Sequence, residues 1–120
     1  MDLVGTCPKK TWAYWLSEGS RAGESQDGIE YRWFTNSAVA SRINTGDRFY
    51  VVAHGRLRGW APVTQVIIYA NGRTRLICRR GDAVACTIEK KIPGFRGLRK
   101  RWWSRNDERA FTHWKTEGVS

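Results

Sequence analysis

Two turn dipeptides, His54-Gly55 and Asn71-Gly72, constrain this chain more than any other feature. A third turn pair, Gly46-Asp47, comes just before them and is followed by the apolar run Phe49-Tyr50-Val51-Val52-Ala53. His54-Gly55 interrupts that run, and residues 57–69 carry a second, longer extended segment. β-branched and aromatic residues on both sides of a Gly-containing break read as a β-hairpin. With His54-Gly55 in the turn, Ala53 stands opposite Arg56, Val52 opposite Leu57 and Phe49 opposite Trp60, so apolar side chains face each other at two of the three pairs. Asn71-Gly72 is the strongest short turn signal and sets Ile67 opposite Leu76 and Val66 opposite Ile77. The result is a three-stranded meander over residues 48–53, 56–70 and 73–79. Its middle strand is too long to lie flat, and Pro62 cannot donate a ladder bond. A bulge or bend is expected there, which is how a sheet curls toward closure.

The remaining segments must pack around this meander. Residues 1–7 read as a short lead-in. Pro8 suits a helix start, and Trp12, Trp15 and Leu16 share one helical face, so residues 9–18 read as a short amphipathic helix closed by Gly19. The aromatic run 11–15 leaves a strand as the alternative. Residues 20–28 read as a loop, longer than most connections. Over residues 29–35, Ile29, Tyr31 and Trp33 alternate with Glu30 and Arg32, the pattern of a half-buried strand. Residues 37–43 suit a helical turn. Gly81-Asp82 marks another turn before a strand over 83–88, and residues 110–114 read as a last short strand or turn. A chain of 120 residues makes one domain, residues 1–120. The fold class expected is α+β: a small curled or closed antiparallel β-barrel with one or two short flanking helices.

Charge points to a polyanionic partner. Twenty-one Lys and Arg against eleven Asp and Glu give +10, a large excess for a small domain. Seven Trp, four Tyr and four Phe supply packing surface and exclude a disordered chain. Residues 94–105, GFRGLRKRWWSR, interleave Arg96, Arg99, Lys100, Arg101 and Arg105 with Phe95, Trp102 and Trp103. Cations neutralise phosphates, and aromatic planes stack on bases. In extended backbone one of two adjacent tryptophans faces inward and the other outward, so one anchors the segment and the other is free to stack. Arg56 and Arg58 share the face opposite Leu57 and form a second candidate phosphate clamp. Arg73, Arg75 and Arg79 make a stripe by period two, which reads as a solvated face with ligand contact as the alternative.

Catalytic and metal signals are weak. Cys7, Cys78 and Cys86 show no Cys-x-x-Cys spacing, and neither His54 nor His113 stands near one of them, so no zinc site is expected. Buried apolar thiols are the favoured reading; the alternative is Cys78 and Cys86 as near neighbours across a hairpin. His54 in a turn reads as a left-handed structural residue rather than a base. A Lys-activated hydroxyl built from Lys10 and Thr11 with Glu24 or Glu89 is the one catalytic set available. No Gly-rich loop that would cradle a nucleotide cofactor is present, and no cofactor is expected. The start of the chain lacks the apolar core of a signal peptide, and no apolar run has the length of a membrane span. A cytoplasmic protein with no membrane contact is expected.

The Gly46-Asp47 turn, the strand RFYVVA and the following GRLRGWAPVTQV, with Gly59-Trp60-Ala61, resemble the core of the PUA-like superfamily in its ASCH and EVE branches. The resemblance covers residues 46–66, with looser agreement over 8–35. The segment AVACTIEKKIPGFRGLRKRWW is also similar to small uncharacterised proteins of bacteria and their phages. The PUA-like resemblance implies a small curled or closed barrel flanked by helices, with a cleft that binds RNA or a modified base in RNA or DNA. It implies an aromatic cage, for which Trp15, Trp33, Trp60 and Trp103 are the candidates. It also implies, as an alternative, an amidohydrolase on a modified nucleoside using Lys10, Thr11 and an acid. The leading expectation is a non-enzymatic nucleic-acid-binding module. Arg56, Arg58, Arg96, Arg99, Lys100, Arg101 and Arg105 would track phosphates. Trp102 or Trp103, with one of Trp12, Trp15 and Trp33, would stack a base. A phage or mobile-element protein that binds an acidic host protein is the third reading.

Overall fold

The computed structural model describes residues 1–21 and 30–119. Its strands are β1 (Leu3–Thr6), β2 (Glu30–Thr35), β3 (Arg48–Ala53), β4 (Arg56–Ile68), β5 (Arg75–Arg80), β6 (Val84–Thr87), β7 (Leu98–Lys100) and β8 (Arg109–Ala110), with one α-helix, α1 (Trp12–Glu18). Short 3-10 turns occupy Lys9–Thr11, Ala38–Arg42 and Arg105–Asp107. The order across the sheet is β2-β5-β4-β3-β1-β7. Its two ends do not pair with each other, so the sheet is a curled half-barrel rather than a closed one. The curl is tight: β2 and β1 are far apart in that order, yet the Trp33 ring lies against Gly5.

Both hairpins form, with informative differences. His54 and Gly55 both have positive φ, 49° and 73°, as a type I′ turn requires. Ala53 pairs with Arg56 and Val52 with Leu57, as expected. Beyond them Arg58 is an extra residue on β4, so Phe49 meets Ala61 and Trp60 meets Tyr50 instead. A second bulge at Thr64 shifts β4 against β5. The two bulges flank Pro62, and β4 passes between them from pairing with β3 to pairing with β5. The turn at Asn71-Gly72 is wider than two residues, with Tyr69 N–H donating to Thr74 C=O at 2.9 Å. The Asn71 side-chain oxygen accepts the backbone N–H groups of Arg73 and Thr74. The loop keeps the same centre, so Ile67 still faces Leu76 and Val66 faces Ile77. β6 continues along the side of β4 that β5 uses, pairing at Gly59 and Trp60.

Residues 1–7 are not a lead-in. Leu3 and Val4 are fully buried, and β1 lies parallel to β3 and antiparallel to β7. The sheet is therefore mixed, not antiparallel throughout. The reading of 9–18 as helix holds for α1 with its preceding turn, and Gly19 ends it with φ 71° and an N–H bond to Trp15 C=O. Tyr31 and Trp33 on β2 point to the less exposed face, as the alternation requires. Ile29 and most of the loop expected over residues 20–28 lie outside the described residues.

Burial along β1 and β3 alternates between two cores. Leu3, Phe49, Val51 and Ala53 join Trp12 and Trp15 in one cluster. Val4, Tyr50 and Val52 join Leu57, Ile88, Ile92 and Trp103 in the other. Side chains alternate across a strand, so these are the opposite faces of the same two strands. Each face carries a concavity.

Candidate nucleic-acid interface

On the first face α1 lies over the curled sheet and leaves a cleft of about 340 Å³. That volume falls in the range of ligand pockets, roughly 300–1,000 Å³. Aromatic side chains reach it from three elements: Tyr14 and Trp15 of α1, Tyr31 and Trp33 of β2, and Phe49 of β3. The Trp33 and Phe49 rings are 5.5 Å apart. Gly5 forms part of the lining, and its missing side chain makes room for the Trp33 ring.

One charged pair lines this apolar space. Both terminal nitrogens of the Arg79 guanidinium, Nη1 and Nη2, donate to the carboxylate of Glu18, at 2.8 and 2.7 Å. The Arg79 guanidinium also sits 4.7 Å from the Tyr31 ring centre and 5.2 Å from that of Trp15. Cross-strand pairing of Arg79 with Tyr31 sets that contact. Arg79 belongs to the stripe read as solvated, and Glu18 carries no local sequence signal. Their role comes from α1 docking on β5. Cys7 lines the same cleft with its thiol 3.2 Å from the Thr11 hydroxyl. Burial pushes the Cys7 thiol up, and the Thr11 hydrogen bond only partly offsets that.

On the opposite face a groove of about 920 Å³ is lined by Lys90, Lys91, Phe95, Arg99, Trp102 and Trp103, and also by Glu89 and Asp107. The tryptophan pair divides as the sequence suggests. Trp103 is 8% exposed and Trp102 is 52% exposed. Trp103 Nε1 donates to Glu108 at 2.9 Å. Glu108 also accepts from Tyr50 Oη at 2.7 Å and pairs with Arg48 at 3.1 Å. Trp102 packs edge-on against Trp103 and Phe95, at 5.0 and 6.1 Å between ring centres. The Arg99 guanidinium lies 4.2 Å from the Phe95 ring centre.

Several candidate residues are placed otherwise than expected. Arg58 is fully buried. As the bulge residue it turns inward, and its guanidinium donates to the carbonyls of Ala53, His54 and Trp114. Arg56 is half-buried and pairs with Glu117 at 3.3 Å. The hairpin is thus no outward phosphate clamp. Arg101 and Arg105 converge on the buried carboxylate of Asp2 at 3.1 and 2.8 Å, which ties the segment after β7 to β1. Arg96, Arg99 and Lys100 are exposed. Trp12 is buried against His54 and Trp114 and lines neither concavity. Trp15 is buried but forms cleft wall, whereas Trp60 is stacked by Arg48 at 3.9 Å.

Glu89 does not join Lys10 and Thr11. Thr11 lines the cleft, Lys10 is exposed and absent from the lining, and Glu89 belongs to the groove on the other face. Glu24 lies outside the described residues. Among the described residues no group of His, Cys, Asp and Glu could hold a metal ion. None of their helices is long and apolar enough to cross a membrane. Cys7, Cys78 and Cys86 are free thiols, the last two buried. No family model, curated protein or solved structure matches the chain.

Proposed function

We propose that the chain is a nucleic-acid-binding module of PUA-like type that takes one base of RNA or DNA, including a modified base, into the cleft under α1. The observation that carries this reading is the meeting of five aromatic side chains around a space of about 340 Å³. Flat rings favour a flat ligand, because stacking needs a planar partner. Arg79, whose side chain is 13% exposed, adds a guanidinium donor among the aromatic walls, which suits an acceptor on the edge of a base. The curled half-barrel with one short helix is compatible with a PUA-like domain, and the charge of +10 suits a phosphate-bearing polymer.

Cys7 gives the test, because it lines the cleft while Cys78 and Cys86 are buried. Alkylation of Cys7 by iodoacetamide is followed by mass spectrometry, with and without a panel of common and modified nucleosides. Protection that saturates with one or more nucleosides is the expected result. Equal alkylation rates across the panel, and with short oligoribonucleotides and oligodeoxyribonucleotides, would remove base binding in the cleft.

A further inference from the structure

The cleft makes no use of one dense run of cations in the chain. Residues 90–100, KKIPGFRGLRK, contain Lys90, Lys91, Arg96, Arg99 and Lys100 and no carboxylate. Several arginines elsewhere are neutralised: Arg48 by Glu108, Arg56 by Glu117, Arg79 by Glu18, and both Arg101 and Arg105 by Asp2. None of the cations of residues 90–100 forms an ion pair among the described residues. Lys90, Lys91 and Arg99 line one groove, where unpaired like charges repel one another and an anion relieves that repulsion.

The same segment presents an indole to water. Trp102 is 52% exposed, yet it is fixed edge-on between Phe95 and Trp103. Its mounting is rigid for local reasons. Phe95 N–H donates to the Thr6 hydroxyl at 3.1 Å, Ile92 N–H to Gly55 C=O at 2.8 Å and Arg101 N–H to Asp2 C=O at 3.1 Å. A fixed aromatic face costs little entropy to use. Beside cations it makes a stacking platform for an unpaired base, whereas the bases of a duplex present no free face. The Glu89 and Asp107 carboxylates in the lining oppose indiscriminate anion binding and favour a strand that can also stack.

We infer that this groove is a second site, on the face of β1 and β3 opposite the cleft, for single-stranded nucleic acid. Lys90, Lys91 and Arg99 hold phosphates, and Trp102 stacks on one base. The site does not depend on base binding in the cleft. The two are read separately, by oligonucleotide affinity here and by Cys7 protection there.

The test is fluorescence anisotropy of a labelled twelve-residue oligothymidylate and oligouridylate with the full chain, across a salt series. Trp102→Ala is expected to weaken binding roughly tenfold or more, in line with the loss of one base stack. Lys90→Ala with Arg99→Ala is expected to weaken binding and lower the salt slope by about 1.4, for two phosphate contacts on a single strand. Arg42→Ala with Arg73→Ala removes the same charge from exposed positions outside the groove, and should change affinity less than twofold. All these side chains are exposed, so circular dichroism should show folded variants. Unchanged affinity in Trp102→Ala, equal losses in both charge variants, or equally tight binding of a duplex or of polyglutamate would each overturn the groove as a single-strand site.

Discussion

Glu18 and Arg79 are joined by a bidentate pair that fastens α1 to β5, with the Glu18 side chain 1% exposed and that of Arg79 13% exposed. Glu18 is the last residue of α1, where the helix dipole disfavours a carboxylate. The guanidinium offsets that, and it is itself held between Tyr31 and Trp15. Removing one partner leaves the other charged and buried. Glu18→Gln or Arg79→Met is therefore expected to destabilise the fold by about 3 kcal/mol or more. The double variant Glu18→Leu/Arg79→Met should cost less than the two single changes summed. Urea unfolding followed by tryptophan fluorescence measures all three. Additive losses would mean that the pair does not fasten the helix.

Gly5 separates the cleft from the stability of the sheet. A methyl group there would come within 3.2 Å of Leu98 and 3.3 Å of Phe49 and Trp33. Each neighbour is a side chain, so the crowding can be relieved by moving rings. Gly5→Ala is expected to cost about 1–2 kcal/mol, as modest overpacking does. The displaced Trp33 ring would narrow the cleft, so nucleoside protection of Cys7 should weaken far more than stability falls. Full protection in a folded Gly5→Ala protein would show that Trp33 does not form the ligand wall.

What the sequence disclosed was local. His54-Gly55 and Asn71-Gly72 set both hairpins because turn geometry fixes register over the next few residues. Alternation at Tyr31 and Trp33 disclosed the inner face of β2, and the adjacent tryptophans 102 and 103 divide into one exposed and one buried ring although the chain there has already left β7. What it hid was non-local. The bulge at Arg58 rests on three backbone carbonyls supplied by other segments, and no pattern around Arg58 announces it. β1 is four residues long and contains a glycine, too short to show a period. Glu18 and Arg79 are 61 positions apart. Their pairing follows from where the helix docks, which the local spacing of charges does not encode.

Two groups contribute to opposite limbs of the pH–stability curve. Burial alone would raise the Asp2 carboxyl, but hydrogen bonds from the Arg48 N–H, Arg105 and Arg101 outweigh it and hold it below its usual value. A depressed carboxylate stabilises the fold above its unfolded pKa, about 3.9, and that contribution is lost as pH falls further. Burial, reinforced by the Glu108 charge, pushes the Cys86 thiol up to about 12. A raised thiol stabilises the fold below its unfolded pKa, about 8.5, and that contribution is lost as pH climbs toward the folded value. Thermal unfolding across pH should therefore show Asp2→Asn flattening the limb below about pH 4 and Cys86→Ala flattening the limb above about pH 8.5. An unchanged slope in either variant would move that limb to other groups.

Arg58 stabilises the fold from inside rather than binding from outside. Its guanidinium donates to Ala53 C=O at 2.8 Å and to Trp114 and His54 C=O at 3.2 Å each. Its rings of contact are Trp12 and Phe111, at 5.6 and 5.1 Å. Burial, and then the nearby Arg56, lower its pKa, while Glu117 opposes the shift. One side chain thus ties the β3–β4 turn to the turn that follows β8. Arg58→Met fills similar space but leaves those carbonyls without donors, each costing about 1–3 kcal/mol, less the relief of no longer burying a charge. The net expectation is a loss of about 3 kcal/mol, with amide exchange rising first in residues 114–119. Arg58→Lys should recover part of the loss, since an ammonium reaches fewer of the carbonyls than a planar fork does. Oligonucleotide affinity of the folded Arg58→Lys protein should stay within twofold of the parent. A tenfold loss in that folded variant would instead return Arg58 to the phosphate-contacting surface.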